Sequence, residues 1–125
     1  MKLPLTRRKT IRKEEWLTLI PVADCGHEME DERVVLLIPR ARNPILKFFV
    51  SFLNSKPFFR LKLDEVGSFV WNQIDGTRNI QEICKNLETE FAERVAPADE
   101  RTVEFFKRLY LYRAVHFVRP QQPEP

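Results

Sequence analysis

The sequence predicts an α+β fold, a winged helix-turn-helix in which three helices follow a small three-stranded antiparallel sheet. A short extra helix is expected between strands 2 and 3. Residues 63–91 carry two successive apolar stripes at helical spacing, whereas residues 28–40 indicate two strands around an acidic turn and residues 58–63 show the period of two that is typical of a strand. The 125 residues, ten of them phenylalanine, can fill one modest hydrophobic core.

The first of the three helices is predicted to begin after Asp64, whose side chain can accept hydrogen bonds from first-turn N–H groups. Asp75 and Gly76 are expected to end it, because glycine takes the left-handed conformation of a helix C-cap without steric cost. The apolar residues of this segment recur at helical spacing: Val66, Phe69, Val70, Trp71 and Ile74.

The second helix is predicted from a capping-box pattern, in which Asn79 precedes the helix and Glu82 follows three residues later. Its buried stripe is expected to be Ile80, Ile83, Cys84, Leu87 and Phe91.

A third helix is predicted over residues 99–112, because two apolar stripes run along it. The first stripe is Val103, Phe106 and Tyr110, and its neighbour is Phe105, Leu109 and Tyr112. Phe106 and Leu109 are expected in the core, whereas Phe105 and Tyr112 fit either core packing or a binding groove. The alternation in residues 114–118 predicts a final strand.

The segment before the helices predicts the sheet. A short strand, an acidic turn and a strand over residues 34–38 come first, and residues 58–63 follow with Phe59, Leu61 and Leu63 on one face. Three strands leave an edge whose unpaired N–H and C=O groups can accept an extended peptide.

Residues 43–54 predict the inserted helix, because Asn43 suits an N-cap, Pro44 suits the first helical position and an apolar stripe follows. Three interpretations stay open: extra core, a contact with a second copy or a partner enzyme, and contact with a membrane surface. We take the contact residues to be Ile45, Phe48, Phe49 and Phe52.

Charge is strongly segregated in the first half of the chain. Residues 14–32 hold seven acids and no lysine or arginine, whereas residues 33–63 hold seven bases and no acid. The basic block would attract an acidic partner and accelerate its encounter. Alternatively, it is a solvated face that the acidic block balances.

Other function classes lack their sequence signatures. Three glycines without regular spacing do not make a phosphate-binding loop, and Cys25 and Cys84 are too far apart for a CxxC site. We expect no enzyme activity, metal or cofactor. With no signal peptide and no membrane-spanning run, we expect one cytoplasmic domain over residues 14–119, between a basic tail (1–13) and a Pro-rich tail (120–125).

The chain resembles the PqqD family, small peptide chaperones also called recognition elements for ribosomally made, post-translationally modified peptides. The resemblance covers roughly residues 30–118 and rests on residues 63–67 (LDEVG), Trp71, Asp75-Gly76, the spacing of Ile80 and Ile83 to Leu87, and residues 105–109 (FFKRL). Two features depart from the pattern: Arg113 replaces a usual glycine before the last strand, and residues 41–56 look like an insertion.

The resemblance implies that the leader of a precursor peptide binds beside the third strand and the third helix. In this chain, the strand that pairs with the leader would be Phe58, Phe59, Arg60, Leu61 and Lys62. The helix wall beside the leader would be Arg101, Glu104, Phe105, Arg108 and Tyr112. Either Phe59 and Leu61 or Phe58 and Arg60 would form the backbone ladder. Phe105 and Tyr112 would form apolar pockets, while the four bases Arg60, Lys62, Arg101 and Arg108 would select acidic leader side chains.

The resemblance favours a non-catalytic peptide chaperone that presents its peptide to a modifying enzyme, commonly a radical SAM enzyme, with a homodimer possible. The alternatives are a winged-helix DNA-binding regulator and a structural subunit of an enzyme complex. Asp99 and Glu100 at the start of the third helix disfavour DNA, since they would meet phosphates. Nucleic acid and membrane are therefore not the expected partners.

Overall fold

The computed structural model describes residues 11–39 and 58–120, which form an α+β fold with four α-helices and two small antiparallel sheets. The predicted fold class is thus confirmed, while its winged helix-turn-helix arrangement stays a prediction. The predicted inserted helix (43–54), residues 1–10 of the basic tail and residues 121–125 lie outside the described residues. The elements in chain order are α1 (Lys13–Thr18), β1 (Ile20–Ala23), β2 (Gly26–Glu30), β3 (Arg33–Pro39), β4 (Phe58–Lys62), α2 (Glu65–Asn72), α3 (Ile80–Phe91), a 3₁₀ turn (Ala92–Val95), α4 (Ala98–Leu111) and β5 (Val115–Val118).

The predicted three-stranded sheet is present, with strand order β2-β3-β4. Asp31 and Glu32 join β2 to β3 with φ angles of 53° and 64°. A two-residue turn with positive φ at both positions matches the right-handed twist of the strands that it connects. The turn therefore fixes the register that places Glu30 opposite Arg33.

Asp64 caps α2 as predicted, since its carboxylate accepts a 2.7 Å hydrogen bond from the Gly67 N–H. The predicted end of this helix was wrong by about one turn, because α2 ends at Asn72. The Asp75 carboxylate accepts hydrogen bonds from the N–H groups of Thr77 and Arg78, both at 2.9 Å. This local turn competes with a continued helix. Gly76 has a φ of 83° within the turn and is not the C-cap.

Helix α3 agrees with its prediction. Asn79 and Glu82 form the capping box, with hydrogen bonds of 2.8 and 2.9 Å between the side chain of each and the backbone N–H of the other. The buried residues of the helix are the predicted stripe: Ile80, Ile83, Cys84, Leu87 and Phe91. The stripe packs into the core against α4 and α1.

Helix α4 places Phe106 and Leu109 in the core, as predicted, with 0% and 1% of their surface exposed. Tyr110 lies on the same apolar stripe as Phe106 but is 54% exposed. Its ring stacks on Phe117 at the edge of the core, with 5.7 Å between ring centroids. After the helix, Arg113 has a φ of 61°, the conformation for which the usual glycine would be suited.

Two elements were not predicted, α1 and β1. Strand β1 pairs antiparallel with β5, so the final strand belongs to a separate two-stranded sheet. Helix α1 begins at Lys13, the last residue of the predicted basic tail, and is held to α4 by a 3.0 Å ion pair between Lys13 and Asp99. Both elements are short and depend on these tertiary contacts.

Candidate functional site

At alternate residues, β4 directs its backbone groups away from the neighbouring strand β3. The Leu63 N–H donates a 2.8 Å hydrogen bond to the Val34 carbonyl of the neighbouring strand. Hydrogen-bonded pairs alternate along an antiparallel ladder, so the register also directs Phe59 and Leu61 towards β3. The residues between them direct their N–H and C=O groups to the opposite side, where no other described strand lies: Phe58, Arg60 and Lys62.

The predicted helix wall divides into two parts. Tyr112, just after the end of α4, lies against Phe59 with 6.0 Å between ring centroids. The other four predicted wall residues line a cavity of about 310 Å³ between the start of α2 and α4: Arg101, Glu104, Phe105 and Arg108. Asp64, the cap of α2, also lines this cavity and follows β4 by two residues. The cavity therefore continues from the end of the strand.

Gly67 brings the two helices together at this cavity. A Cβ atom built on Gly67 would lie only 3.1 Å from the Phe105 ring and 3.1 Å from the Asp64 carboxylate. The absence of a side chain thus lets α4 approach the first turn of α2. Phe105 is half-buried in this position, so its ring forms part of the cavity wall and also packs against the core.

Acidic and basic side chains both line the cavity, Asp64 and Glu104 on one hand and Arg101 and Arg108 on the other. Arg101 donates a 2.9 Å hydrogen bond to the backbone carbonyl of Arg94, which fixes its guanidinium at the surface. Thr102 is 1% exposed, and its hydroxyl has no hydrogen-bond partner of regular geometry among the described residues. The thiol of Cys84, a weak hydrogen-bonding group, lies beside it.

The two bases on β4 are engaged by the acidic hairpin. Arg60 contacts the carboxylates of Glu28 and Glu30, and Lys62 lies 3.1 Å from Glu30 and 3.4 Å from Asp31. The hydrogen bond to Glu30 raises the pKa of Lys62 above its ordinary value. The acidic and basic blocks of the sequence thus meet across the sheet, and an incoming acidic peptide would compete with these internal carboxylates.

The other predictions about this protein concern the contacts of the inserted helix and the possibility of metal or thiol chemistry. Ile45, Phe48, Phe49 and Phe52 lie outside the described residues. Within residues 11–39 and 58–120, no group of three histidine, cysteine or acidic side chains is arranged to hold a metal ion. Burial raises the pKa of the Cys84 thiol, which disfavours the reactive thiolate.

No helix within the described ranges has the length and apolar character needed to cross a membrane.

The match to known proteins covers the elements that build this site. Residues 58–115 match the family model described as Coenzyme PQQ synthesis protein D (PqqD). No curated protein and no solved structure matches the chain. The matched span contains β4, α2, α3 and α4, and ends at the first residue of β5. The resemblance is therefore confirmed: residues 58–115, just under half of the chain, are similar to the PqqD family.

Proposed function

We propose that this protein is a non-catalytic chaperone that binds the leader of a ribosomally synthesised precursor peptide. The leader adds as a strand to the outer edge of β4, and the protein presents the rest of the peptide to a modifying enzyme of the radical SAM class. The observation that carries this proposal is the alternation along β4, which leaves the backbone groups of Phe58, Arg60 and Lys62 directed away from β3. These groups supply a ladder for one extended chain.

The side chains around the edge support selectivity. A leader along β4 meets Tyr112 beside the strand and, past the end of the strand, the cavity beside Phe105. Half-buried aromatic walls suit leucine or phenylalanine side chains, whereas Arg101 and Arg108 suit a carboxylate at the mouth of the cavity. Arg60 and Lys62 contribute to the recognition of acidic residues only when the leader displaces Glu28 and Glu30.

Presentation requires no chemistry by this chain. Holding the leader in a complex with the enzyme raises the effective concentration of the core peptide at the active site. This non-catalytic accessory role is the one that similarity to the PqqD family favours.

We also infer that α2, α3, α4 and β5 form the winged helix-turn-helix predicted from the sequence, with β1 pairing to the wing strand. The packing of α3 against α4 and the β1–β5 pair support this inference. The arrangement does not favour DNA binding. Asp99 and Glu100 occupy the first turn of α4, where a recognition helix would approach phosphates.

Amide hydrogen exchange tests strand addition residue by residue. The ligand to be used is the leader segment encoded by a short precursor-like reading frame, which is to be sought beside the gene. Leader binding should protect the amides of Phe58, Arg60 and Lys62. The amides of Phe59 and Leu61 already bond to β3 and should change little, so they are the internal control.

Two results would overturn the proposal. Leader binding without new protection at any of the three outward amides would exclude strand addition at this edge. Modification of the precursor by this chain alone, without the enzyme, would exclude a non-catalytic role.

A further inference from the structure

A second concave surface lies on a different face of α4. This surface, the apolar groove, encloses about 610 Å³ between α1, the C-terminal half of α4 and β5. Its apolar lining consists of Ile11, Trp16, Leu19, Tyr110, Leu111 and Phe117. Three of its nine described lining residues precede position 58 and three follow position 115, so most of it lies outside the segment that matches the PqqD family.

The floor of the groove is an aromatic cluster anchored in the core. Phe117 packs edge-on against Trp16 at 5.3 Å, stacks with Tyr110 at 5.7 Å and meets the fully buried Phe106 at 6.2 Å between ring centroids. Side chains held on three sides have little rotamer freedom left to lose. The groove is therefore preformed for a ligand.

The walls of the groove expose large apolar side chains. Leu111 is 81% exposed, Tyr110 54% and Ile11 40%. Burying such large apolar side chains is favourable, so a partner that covers them gains free energy. Exposed apolar residues gathered around one concavity, rather than scattered singly, are typical of a protein interaction site.

The rim of the groove is positive. Lys107 and Arg119 line it, and no aspartate or glutamate of residues 11–39 and 58–120 does. Lys107 lies 4.0 Å from the carboxylate of Glu104, on the same helix. His116 also lines it and is held by Asp24, with 2.8 Å between Nδ1 and the carboxylate. The Lys107 ammonium lies 5.7 Å from the centre of the Trp16 ring, at the boundary between the charged rim and the aromatic floor. A partner that carries carboxylates beside apolar side chains complements both parts.

We propose that the apolar groove binds an acidic amphipathic helix of a partner protein. Leucine or phenylalanine side chains enter beside Leu111 and Tyr110, and flanking carboxylates meet Lys107 and Arg119. A concave groove of this volume suits a few inserted side chains better than the flat surface of a membrane. Aliphatic walls such as Ile11 and Leu111 do not favour stacked nucleic-acid bases. The interaction goes beyond leader binding, because it uses another face of α4.

A displayed library of random peptides, selected on the immobilised full chain, identifies the preferred ligand chemistry. Selected peptides should be acidic, with apolar residues at helical spacing. They should bind the Leu111→Glu and Lys107→Glu variants about ten-fold or more weakly than the unsubstituted chain. Lys85→Glu is the matched control, because it makes the same charge change on the exposed side of α3. Leu111 is so exposed that the melting temperature of its variant should hardly change.

Each alternative occupant gives a distinct result that overturns the proposal. Basic or uncharged selected peptides, or equal affinity for Leu111→Glu, would exclude an acidic helix at this groove. Binding to phosphatidylglycerol vesicles that Leu111→Glu abolishes, without peptide selection, would make the groove a membrane contact. Self-association that Leu111→Glu abolishes, again without peptide selection, would assign it to a second copy.

The leader site is tested separately by Arg60→Pro, which alters only the edge of β4. This variant should retain full affinity for the selected peptides. Loss of leader binding with retained peptide binding therefore distinguishes the two surfaces.

Discussion

The bases on the edge of β4 and the bases at the rim of the apolar groove differ in how closely carboxylates already contact them. On β4, Arg60 and Lys62 are paired with three carboxylates of the hairpin, so the strand presents neutralised side chains beside backbone groups directed away from β3. In the groove, Lys107 and Arg119 stand at the rim of an apolar floor with no acid among the described lining residues, and within the described ranges Lys107 has only the carboxylate of Glu104, at 4.0 Å.

This difference separates two modes of recognition. A backbone ladder accepts many sequences and needs its neighbouring pockets for selectivity, whereas an apolar groove with a charged rim selects by side-chain pattern. In the two proposals, the same short chain holds a variable peptide on one surface and a fixed partner on the other.

The largest expected effect comes from proline at adjacent positions of β4. Leu61→Pro removes an N–H that bonds to β3 and leaves its partner carbonyl unsatisfied, so it should destabilise the fold by about 1–3 kcal/mol. Arg60→Pro removes an N–H on the outer side, so it should abolish leader binding at nearly unchanged stability. Urea denaturation followed by circular dichroism, together with calorimetric titration of the leader, measures both effects. Equal destabilisation by the two variants would contradict the alternation derived from the register.

The next effect concerns the internal carboxylates. Glu28→Gln combined with Glu30→Gln should release Arg60, leave Lys62 with Asp31 alone and raise the association rate of an acidic leader several-fold at low salt. Stopped-flow binding at two salt concentrations measures this. Glu88→Gln combined with Glu90→Gln is the matched control, because it changes the net charge equally on exposed positions of α3. An equal acceleration in the control would assign the effect to net charge alone.

A smaller effect, on the stability of the fold, is expected at the residue that directly follows α3. Ala92 is exposed and has φ 51° and ψ −127°, a conformation that favours glycine. Ala92→Gly should therefore stabilise the protein by about 1 kcal/mol without changing the affinity of either surface. Thermal unfolding measures the gain. A lower melting temperature would show that the strain at this residue is smaller than the chain entropy that glycine adds.

The smallest effect concerns acid stability and should be independent of both surfaces. Hydrogen bonds from the Arg78 and Thr77 N–H groups lower the pKa of Asp75 from 3.8 to about 2. The ionised carboxylate therefore stabilises the fold above about pH 4, and this contribution is lost as the pH falls through 2. Asp75→Asn should flatten the dependence of stability on pH in that window, measured by denaturation at several pH values. Glu90→Gln, at an exposed position, should leave the slope unchanged.

Local signals predicted the helices that carry their own caps. Asn79 and Glu82 bond to each other within one turn, so the start of α3 could be predicted from four residues. Helix α1 and strand β1 give weak patterns, since α1 spans six residues and β1 four, including a proline. Contacts such as that between Trp16 and Phe117 join residues far apart in the sequence. The apolar groove was not predicted, because the residues that line it are also far apart in the sequence.

The candidate leader site stays a prediction that the resemblance makes for β4 and a wall on α4. Which of Leu61 and Arg60 directs its N–H outward could not be predicted from the sequence, because that requires the register with β3. The pairing of Arg60 with Glu28 likewise depends on which residues lie opposite each other across the sheet. A sequence pattern alone contains neither piece of information.

The junction of β4 and α2 has a thermodynamic consequence. Leu63 bonds to β3, the next residue caps α2, and the Ser68 hydroxyl accepts a 2.9 Å hydrogen bond from the Val34 N–H, so strand and helix meet without a hinge. A receptor this rigid loses little conformational entropy on binding, and almost the whole ordering cost falls on the incoming peptide. Stiffening the leader, for example by cyclising it in an extended form, should therefore increase affinity more than any further stiffening of the protein.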